Sequence, residues 1–373
     1  MNKDQSWYKV SNENEIPSPA LLVYPERIEE NSRRMIAMAG GADRLRLHVK
    51  THKMPEIVRR QSALGIKNFK CATIAEAEMA AGAGAEDVLL AMQPVGPAIS
   101  RFVKLAIQAA GCRFSCIVDS EKIIHEIAAE AKPYNWLLET ELWLDINVGM
   151  NRTGIAPGAE ALRLYKLIPT LPGIKIRGLH VYDGHVHDSD PETRRKKCMD
   201  GFNPVWKMAD EIVAAGLPYP EIVAGGTPSF PVHAAEKGVN LSPGTTSLWD
   251  ERSASSYPDL DFLYAAIILT RVVSKPAPGL LCLDCGTKAM ASEMPHPRIK
   301  ILGLESYEVK SQNEEHLVIE TQEADKFEPG DCFYGIPTHI CPTVEHYDEA
   351  FVITEGQCTG RWEVEARGRR ISI

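Results

Sequence analysis

The sequence has no run of about 18 apolar residues, the length needed to cross a membrane, and its first segment, 1–8, is too polar for a signal peptide. It also lacks low-complexity tracts, charge blocks and short repeats. Positive charge is in deficit, since the formal net charge is −9, whereas contacts with nucleic-acid phosphates need a basic surface. We therefore expect a soluble, cytoplasmic protein that binds neither nucleic acids nor membranes.

A disulfide framework is absent too. The 9 cysteines, an odd number, are scattered over 373 residues, unlike the dense pattern of a small secreted protein. Cys282 and Cys285 form a C-x-x-C pair, but the pair lies in an apolar strand and no second pair follows. We interpret them as two buried small side chains rather than as a redox or zinc motif.

What the sequence does contain is a repeating pattern of strands and helices. From Leu45 onward, eight short apolar or β-branched runs alternate with helical segments: 45–50, 69–73, 88–93, 114–119, 141–148, 176–182, 221–224 and 239–242. No G-x-G-x-x-G motif opens the first repeat, as a dinucleotide-binding sheet would require. The pattern predicts an α/β fold built on a parallel, TIM-type (β/α)8 barrel.

After Tyr257 the pattern changes to strands and turns, at 265–273, 279–283, 307–309 and 317–321. This change predicts a separate, mainly-β domain at the C-terminal end. We expect the barrel to occupy residues 26–250 and the β domain to combine 1–25 with 251–373. The segment 20–24 would supply an N-terminal strand that completes the β domain.

The first predicted strand has a charged face. With a side-chain period of two, one face carries Arg46, His48, Lys50 and His52, and the other carries Leu45, Leu47 and Val49. Because a helical segment follows at Pro55, we expect the apolar face to pack under helices and the charged face to point inward. A desolvated lysine beside other cations can form an imine with an aldehyde. Lys50 is therefore a candidate reactive amine, with a surface charge as the alternative.

Polar residues gather where the predicted strands end, which is where barrel active sites lie. Besides Lys50, these residues are Thr73, Gln93, Asn147, Asn151, Arg152, His180 and Tyr182. Two Gly/Thr turns, Gly225-Gly226-Thr227 and Pro243-Gly244-Thr245-Thr246, follow the last two strands, where barrels bind phosphate. Either turn alone is weak evidence. A reactive lysine and a phosphate site at one barrel mouth together fit pyridoxal phosphate.

Six longer stretches carry a family resemblance over nearly the whole chain: IPSPAL at 16–21, HVKTHK at 48–53, VGMNRTG at 148–154, GGTP at 225–228, DCGTKA at 284–289 and PTHICPT at 337–343. With them the chain resembles the D-threonine aldolase and D-serine dehydratase family of alanine-racemase-like, fold-type III pyridoxal-phosphate enzymes. The resemblance implies that Lys50 carries the cofactor and that Arg152 approaches its phenolic oxygen. It further implies that Tyr182, or alternatively His180, serves the pyridine ring, and that the phosphate is held by Gly225, Gly226, Thr227, Gly244 and Thr245.

His339 and Cys341 form an H-x-C pair, which on an extended segment would place both side chains on one face. Imidazole and thiolate together suit Zn²⁺, although the motif alone is commonplace. The resemblance implies a divalent metal here, with zinc favoured and manganese possible. Aldolase-type relatives often have aspartate where Cys341 stands, whereas dehydratase-type relatives use cysteine and zinc.

The resemblance implies a lyase that acts on D-3-hydroxy amino acids, with D-threonine aldolase activity first and D-serine or 3-hydroxy-D-aspartate dehydration as the near alternative. The expected base for aldol cleavage is His187, with His185 as the other candidate, and for dehydration it is Lys50. Amino-acid racemization and a non-catalytic cofactor carrier are less favoured readings. The resemblance also implies a homodimer.

Overall fold

The computed structural model describes residues 6–372 except 110, 136, 138, 370 and 371, so residues 1–5, 370, 371 and 373 of the predicted β domain lie outside the described residues. The chain separates into two compact units. The barrel unit comprises 33–244 and 368–373, and the β unit comprises 1–32 and 245–367. These divisions lie six or seven residues from the boundaries predicted at 25/26 and 250/251.

The barrel unit contains an eight-stranded parallel sheet, as the sequence predicts. The chain first forms β1 (Ala20–Val23) and α1 (Pro25–Ala39). The barrel strands follow in spatial order: β2 (Arg46–His48), β3 (Asn68–Cys71), β4 (Asp87–Leu90), β5 (Arg113–Val118), β6 (Thr140–Ile146), β7 (Ile174–Val181), β8 (Glu221–Ala224) and β9 (Val239–Leu241). A parallel bridge between Leu45 and Leu241 brings the first and last strands together, so the (β/α)8 prediction is confirmed.

Helices follow the strands in alternation: α2 (Pro55–Ala63), α3 (Ile74–Gly82), α4 (Pro97–Gln108), α5 (Glu121–Ala131), α6 (Ala159–Leu167), α7 (Pro191–Ala214) and α8 (Phe230–Ala234). Proline at the first turn starts several of them, where a missing N–H is tolerated. Thr73, predicted at the barrel mouth, instead caps α3 by accepting a hydrogen bond from the Glu76 amide. None of the described helices is both long and apolar enough to span a membrane.

The interior of the barrel is layered. Leu89, Ile117, Trp143 and Val223 form one buried apolar cluster. At the other end of the strands, the buried Asp87 accepts from Arg46, Arg113 and Arg177, each at 2.6 Å. Burial alone would raise the pKa of Asp87, but the guanidinium groups hold it well below its usual range. The predicted inward-facing cation at Arg46 is therefore neutralised.

The β unit contains a nine-stranded sheet. Besides β1, its strands are β10 (Ala266–Ser274), β11 (Leu280–Leu283), β12 (Ile299–Leu302), β13 (Glu308–Gln312), β14 (Leu317–Glu320), β15 (Cys332–Pro337), β16 (Glu349–Thr354) and β17 (Gln357–Glu363), with short helices α9 (Glu251–Ser256) and α10 (Ile340–Val344). The strand order is β13-β14-β11-β10-β1-β16-β17, and β15 pairs with β10 and β12. Strand β1 pairs with β10 and β16, so the N-terminal strand completes this sheet. All nine cysteines lie in the described residues, and none forms a disulfide.

Four strands of the β unit, β12, β15, β16 and β17, were not predicted from the sequence. Strand β15 contains Gly335 and ends at Pro337, two residues that lower the strand signal. Gly335 is needed there because a Cβ at that position would lie 2.1 Å from Ile299 Cδ1 on the paired strand.

Asp87→Asn should lower the free energy of unfolding by about 3 kcal/mol or more, because it leaves the buried guanidinium group of Arg46 without its carboxylate partner. Urea denaturation followed by circular dichroism measures this change. Glu86→Ala is the matched control, since Glu86 pairs with Lys67 at the surface and should change stability by less than about 1 kcal/mol. Equal effects of the two substitutions would contradict a structural role for the Asp87 network.

Candidate active site

Lys50 lies at the mouth end of β2, but not on the strand. The strand ends at His48, and Lys50 occupies a short 3₁₀ turn, Val49–Thr51, in which its amide donates to His48 Nδ1. The predicted alternation therefore fails beyond His48, because the turn removes Lys50 and His52 from the strand geometry. His52 instead accepts a hydrogen bond at Nδ1 from the Met54 amide.

The two imidazoles beside Lys50 are buried and neutral. Burial, followed by the positive charges of Lys50 and Lys70, holds the pKa of His48 well below its ordinary value. Burial lowers the pKa of His52 to about 3. The predicted cationic face is thus reduced to Lys50 itself, which is partly exposed at the mouth.

Tyr182 stands at the centre of the site. Its ring centroid lies 6.0 Å from Lys50 Nζ, 5.7 Å from Lys70 Nζ and 4.8 Å from the Arg152 guanidinium carbon. Gly226 and Gly184 lie so close to this ring that a Cβ on either would come within 2.9 Å of it. The structure thus brings Lys50, Arg152 and Tyr182 together, as predicted, and adds Lys70.

His180, the alternative to Tyr182, also lies inside the barrel. Its Nδ1 is 2.7 Å from Asp145 Oδ1, and its Nε2 is buried without a hydrogen-bond partner in the described residues. Burial lowers the pKa of His180 despite the neighbouring Asp145 carboxylate. A neutral imidazole with one uncommitted nitrogen is suited to a polar group of a ligand.

The two Gly/Thr turns meet at the end of the barrel strands. The Gly244 amide donates to Thr227 Oγ1 at 3.4 Å, and the His48 amide donates to the Pro243 carbonyl at 3.0 Å. A Cβ on Gly244 would lie 3.1 Å from the His48 carbonyl oxygen, so glycine allows this close approach. The turns therefore lie beside the strand that leads to Lys50.

Some backbone amides of the two turns donate to protein groups, and others are available to a ligand. The Gly226 amide donates to Ser229 Oγ at 3.2 Å, and the Gly244 amide donates to Thr227 Oγ1. The amides of Thr227 and Thr245 form no hydrogen bond within the described part of the chain. The amide and hydroxyl of Thr227, in the barrel unit, are groups of the kind that suits a phosphate, and Thr245, the first residue of this part of the β unit, offers groups of the same kind.

A buried network that the sequence analysis missed supports Tyr182 and the first turn. Asp183, the next residue, accepts from Ser229 Oγ and lies against His233 Nε2, both at 2.6 Å. Cys198 joins Asp183 and His233 in a group with metal-ligand chemistry. Burial raises the pKa of the Cys198 thiol, however, so the thiolate form is disfavoured. We interpret the group as a structural support; no sequence motif marks it, because its members lie on three different segments.

Arg152 is held on a structured loop between β6 and α6. Asn147 Oδ1 accepts from the amides of Gly149 and Asn151, and Asn151 adopts a left-handed φ of 54°. The asparagines predicted near the site therefore shape the loop. Gln93, also predicted at the mouth, is hydrogen-bonded to Asp119 at 2.9 Å, and Asp119 accepts from the Gly154 amide.

The two candidate base histidines are both exposed. His185 lies against the Arg152 loop, where its Nε2 is 3.1 Å from the position that a Cβ on Gly149 would take. His187 lies beside Asp188, which is paired with Lys197 at 2.6 Å. The role predicted for His187 stays a prediction.

The H-x-C pair lies in the β unit, with a geometry different from the expected one. Cys341 is in α10 and His339 is the residue before the helix, because the Ile340 amide donates to the buried Asp250 and starts a helical turn. The pair nevertheless stays in contact. Burial alone would lower the pKa of His339, but hydrogen bonds with Cys341 and Glu293 raise it to about 9. Glu293 Oε1 lies 2.5 Å from His339 Nδ1. This contact leaves Nε2 of the imidazole as the nitrogen suited to a metal.

Comparisons with known proteins agree with this architecture. Residues 23–245 match the family described as alanine racemase, N-terminal domain, and residues 265–353 match a serine dehydratase domain family. A D-threonine aldolase of Arthrobacter sp. is 30% identical over 95% of this chain and 93% of its own. A 3-hydroxy-D-aspartate aldolase of Paracoccus denitrificans (strain Pd 1222) is 27% identical over 96% and 94%.

Solved structures show the same fold. The D-threonine aldolase from Filomicrobium marinum has a TM-score of 0.87 at 25% identity, covering 95% of this chain and 96% of that one. The D-threo-3-hydroxyaspartate dehydratase from Delftia sp. HT23 has a TM-score of 0.79 at 24% identity, covering 93% and 97%. Fold and site define the class as alanine-racemase-like enzymes of fold type III.

Within that class, the chain belongs to the D-threonine aldolase and D-serine dehydratase family of lyases. The resemblance found in the sequence motifs is confirmed.

Asp183→Asn should loosen the Tyr182 ring and the Gly225 turn while the protein stays folded, because an amide cannot accept from Ser229 and His233 as a carboxylate does. We expect the affinity for pyridoxal phosphate to fall about tenfold or more, measured by equilibrium dialysis. Asp188→Asn, which removes a partly exposed carboxylate on the same loop, is the matched control. An unchanged dissociation constant for Asp183→Asn would remove the network from the site.

Proposed function

We propose that this protein is a pyridoxal-phosphate- and divalent-metal-dependent lyase of D-3-hydroxy amino acids, of the D-threonine aldolase type. The observation that carries the proposal is the placement of Lys50 over the Tyr182 ring, with Gly226 against the same ring and Gly244 against His48. A reactive amine and two Gly/Thr turns thus converge at one end of the barrel.

The residues present fit the cofactor. Lys50 would hold its aldehyde carbon, Arg152 would face its phenolic oxygen, and the amides and hydroxyls of Thr227 and Thr245 would hold its phosphate. The buried His180 Nε2 without a partner and the Tyr182 ring are the groups suited to the pyridine ring. When bound, pyridoxal phosphate withdraws electrons from the α-carbon of an amino acid, which allows a bond at that carbon to break heterolytically.

His339 and Cys341 fit a divalent metal, with Glu293 orienting the imidazole. An imidazole and a thiolate favour zinc over manganese. The ion would supply Lewis acidity toward the β-hydroxyl group of the substrate. A D-threo-3-hydroxyaspartate dehydratase that is 24% identical to this chain was solved as a cysteine-to-alanine variant in a metal-free form.

The protein groups that move protons follow from the reaction. In aldol cleavage, His187 accepts the proton of the β-hydroxyl as the bond between the α- and β-carbons breaks, and a proton returned to the α-carbon completes glycine, so that D-threonine gives glycine and acetaldehyde. In dehydration, the Lys50 amine accepts the α-proton, a proton and the β-hydroxyl leave together as water, and hydrolysis of the dehydrated amino acid by a second water gives pyruvate and ammonia from D-serine. Cys341 favours dehydration as the second candidate function, since dehydratase-type relatives use cysteine there. The dimer implied by the resemblance stays a prediction.

Product analysis with D-threonine and D-serine, side by side, tests the proposal. We expect acetaldehyde and glycine from D-threonine, measured by a coupled alcohol dehydrogenase assay. A 2-oxo acid as the main product from either substrate would replace the aldolase with the dehydratase. No product from either substrate would contradict both assignments.

Removal of the metal should abolish turnover, because His339 and Cys341 would then hold no Lewis acid for the β-hydroxyl. Dialysis against a chelator, followed by titration with Zn²⁺ or Mn²⁺, measures the loss and its recovery. His339→Ala should lose the bound metal by elemental analysis, whereas His316→Ala, at an exposed position of the same unit, should retain it. Full activity after chelation would exclude a role for this pair in catalysis.

His187→Ala should lower kcat for D-threonine cleavage at least about 100-fold, since general-base catalysis contributes about that much or more. Binding of the cofactor, followed by its visible absorption, should stay unchanged. His185→Ala is the direct comparison, because His185 is the other histidine of the same loop. A large loss with His185→Ala alone would move the base to His185.

A further inference from the structure

Lys70 is a second lysine inside the barrel that the proposed reaction does not use. It lies on β3, and its side chain belongs to the core, with 2% of the residue exposed. In the strand register it pairs with His48 on β2, so it enters the barrel at a level two residues before Lys50. Within the described residues, the Lys70 ammonium group forms no hydrogen bond and no ion pair.

The charges around Lys70 do not balance. Lys50, Lys70 and Arg152 surround the Tyr182 ring. The two carboxylates that act on Lys70 are already engaged, Asp145 with His180 and Asp183 with Ser229 and His233.

The remaining titratable neighbours do not supply a negative charge. His48 and His180 have lowered pKa values and are neutral. Arg46 acts on Lys70 as a further positive charge and is paired with Asp87 in the layer below. The space over Tyr182 is therefore electropositive.

A buried ammonium group without an acceptor is unfavourable, and proteins place it where a ligand supplies the acceptor. Burial, followed by the charge of Lys50, lowers the pKa of Lys70 to about 7. Lys70 can therefore gain its proton when an anion arrives beside it. The missing acceptor is expected to come with the ligand that Lys50 holds.

We propose that Lys70, as a second cation beside Arg152, donates a hydrogen bond to the phenolic oxygen of the pyridoxal phosphate attached at Lys50. The aldehyde and the phenolic oxygen stand on adjacent ring carbons, so the oxygen must lie near the amine that binds the aldehyde. The phosphate has its own donors in the Gly/Thr turns. A substrate carboxylate enters from the mouth, whereas Lys70 starts from a deeper level of the strands. The proposal rests on the proposed cofactor site, but not on the choice of substrate.

The test is a spectroscopic pH titration of the protein purified with its cofactor. A cation beside the phenolic oxygen favours the form of the bound cofactor that has lost its proton. Lys70→Met should therefore move the midpoint of the visible band to higher pH, by about one unit or more. Lys70→Arg keeps the positive charge and should keep the midpoint near that of the native protein.

The dissociation constant for pyridoxal phosphate gives a second readout. We expect Lys70→Met to raise it about 10- to 100-fold, the loss of one charge-assisted hydrogen bond. Lys67→Met, which removes a surface lysine paired with Glu86, is the matched control and should behave as the native protein. Lys70→Gln, a neutral polar variant, should also raise the midpoint and the dissociation constant. It replaces Lys70→Met if that variant does not fold.

The outcomes separate this inference from the proposed function. An unshifted midpoint in a folded Lys70→Met or Lys70→Gln variant overturns the role of Lys70, while the lyase assignment stands. A raised KM for the amino acid with an unchanged visible titration assigns Lys70 to the substrate carboxylate and also overturns it. A native protein that binds no pyridoxal phosphate overturns both proposals.

Discussion

The site depends on one constraint, which is the gathering of positive charge around a single aromatic ring inside a closed barrel. Lys50, Lys70 and Arg152 come from three different strand ends or loops, and each lies within 6.0 Å of the Tyr182 ring centre. The ring quadrupole offsets part of their mutual repulsion. The repulsion that remains favours an anionic ligand, which is consistent with pyridoxal phosphate as the cofactor.

The barrel separates two charged layers with opposite properties. The layer at the start of the strands is balanced, since three guanidinium groups, those of Arg46, Arg113 and Arg177, face three carboxylates, those of Asp87, Glu141 and Glu221, and it has no need of a ligand. The layer at the mouth is unbalanced, because Asp145 and Asp183 orient His180, His233 and Ser229 rather than the lysines. The same network that leaves the lysines without partners also fixes Tyr182 and the Gly225 turn. Stability and binding are thus assigned to different ends of the same strands.

Much of the fold follows from local sequence signals. Each of the eight barrel strands is a short apolar run followed by a helix, so periodicity alone locates them. Lys50 and the two glycine turns could be predicted because barrel topology places every strand end at one mouth. The family motifs then predict roles for Arg152 and Tyr182, and these roles stay predictions. In the β unit, strands such as β15 could not be predicted from the sequence, because glycine and proline weaken their pattern.

The parts that could not be predicted are those that depend on contacts distant in sequence. Lys70 lies in the apolar context of β3, and its lack of a hydrogen-bond partner among the described residues is visible only once Asp145 and Asp183 are seen bonded elsewhere. Asp183, Ser229 and His233 carry no motif. The turn that takes Lys50 off its strand arises from local hydrogen bonding after His48, which a strict two-residue period cannot anticipate.

The central claim is that the amine of Lys50 holds the cofactor. The most direct measurement is borohydride reduction of the native, cofactor-loaded protein, followed by proteolysis and mass spectrometry of the labelled peptide. We expect a single pyridoxyl group, on Lys50. A label on Lys70 or on any other lysine, or a protein that takes up no label at all, would contradict it.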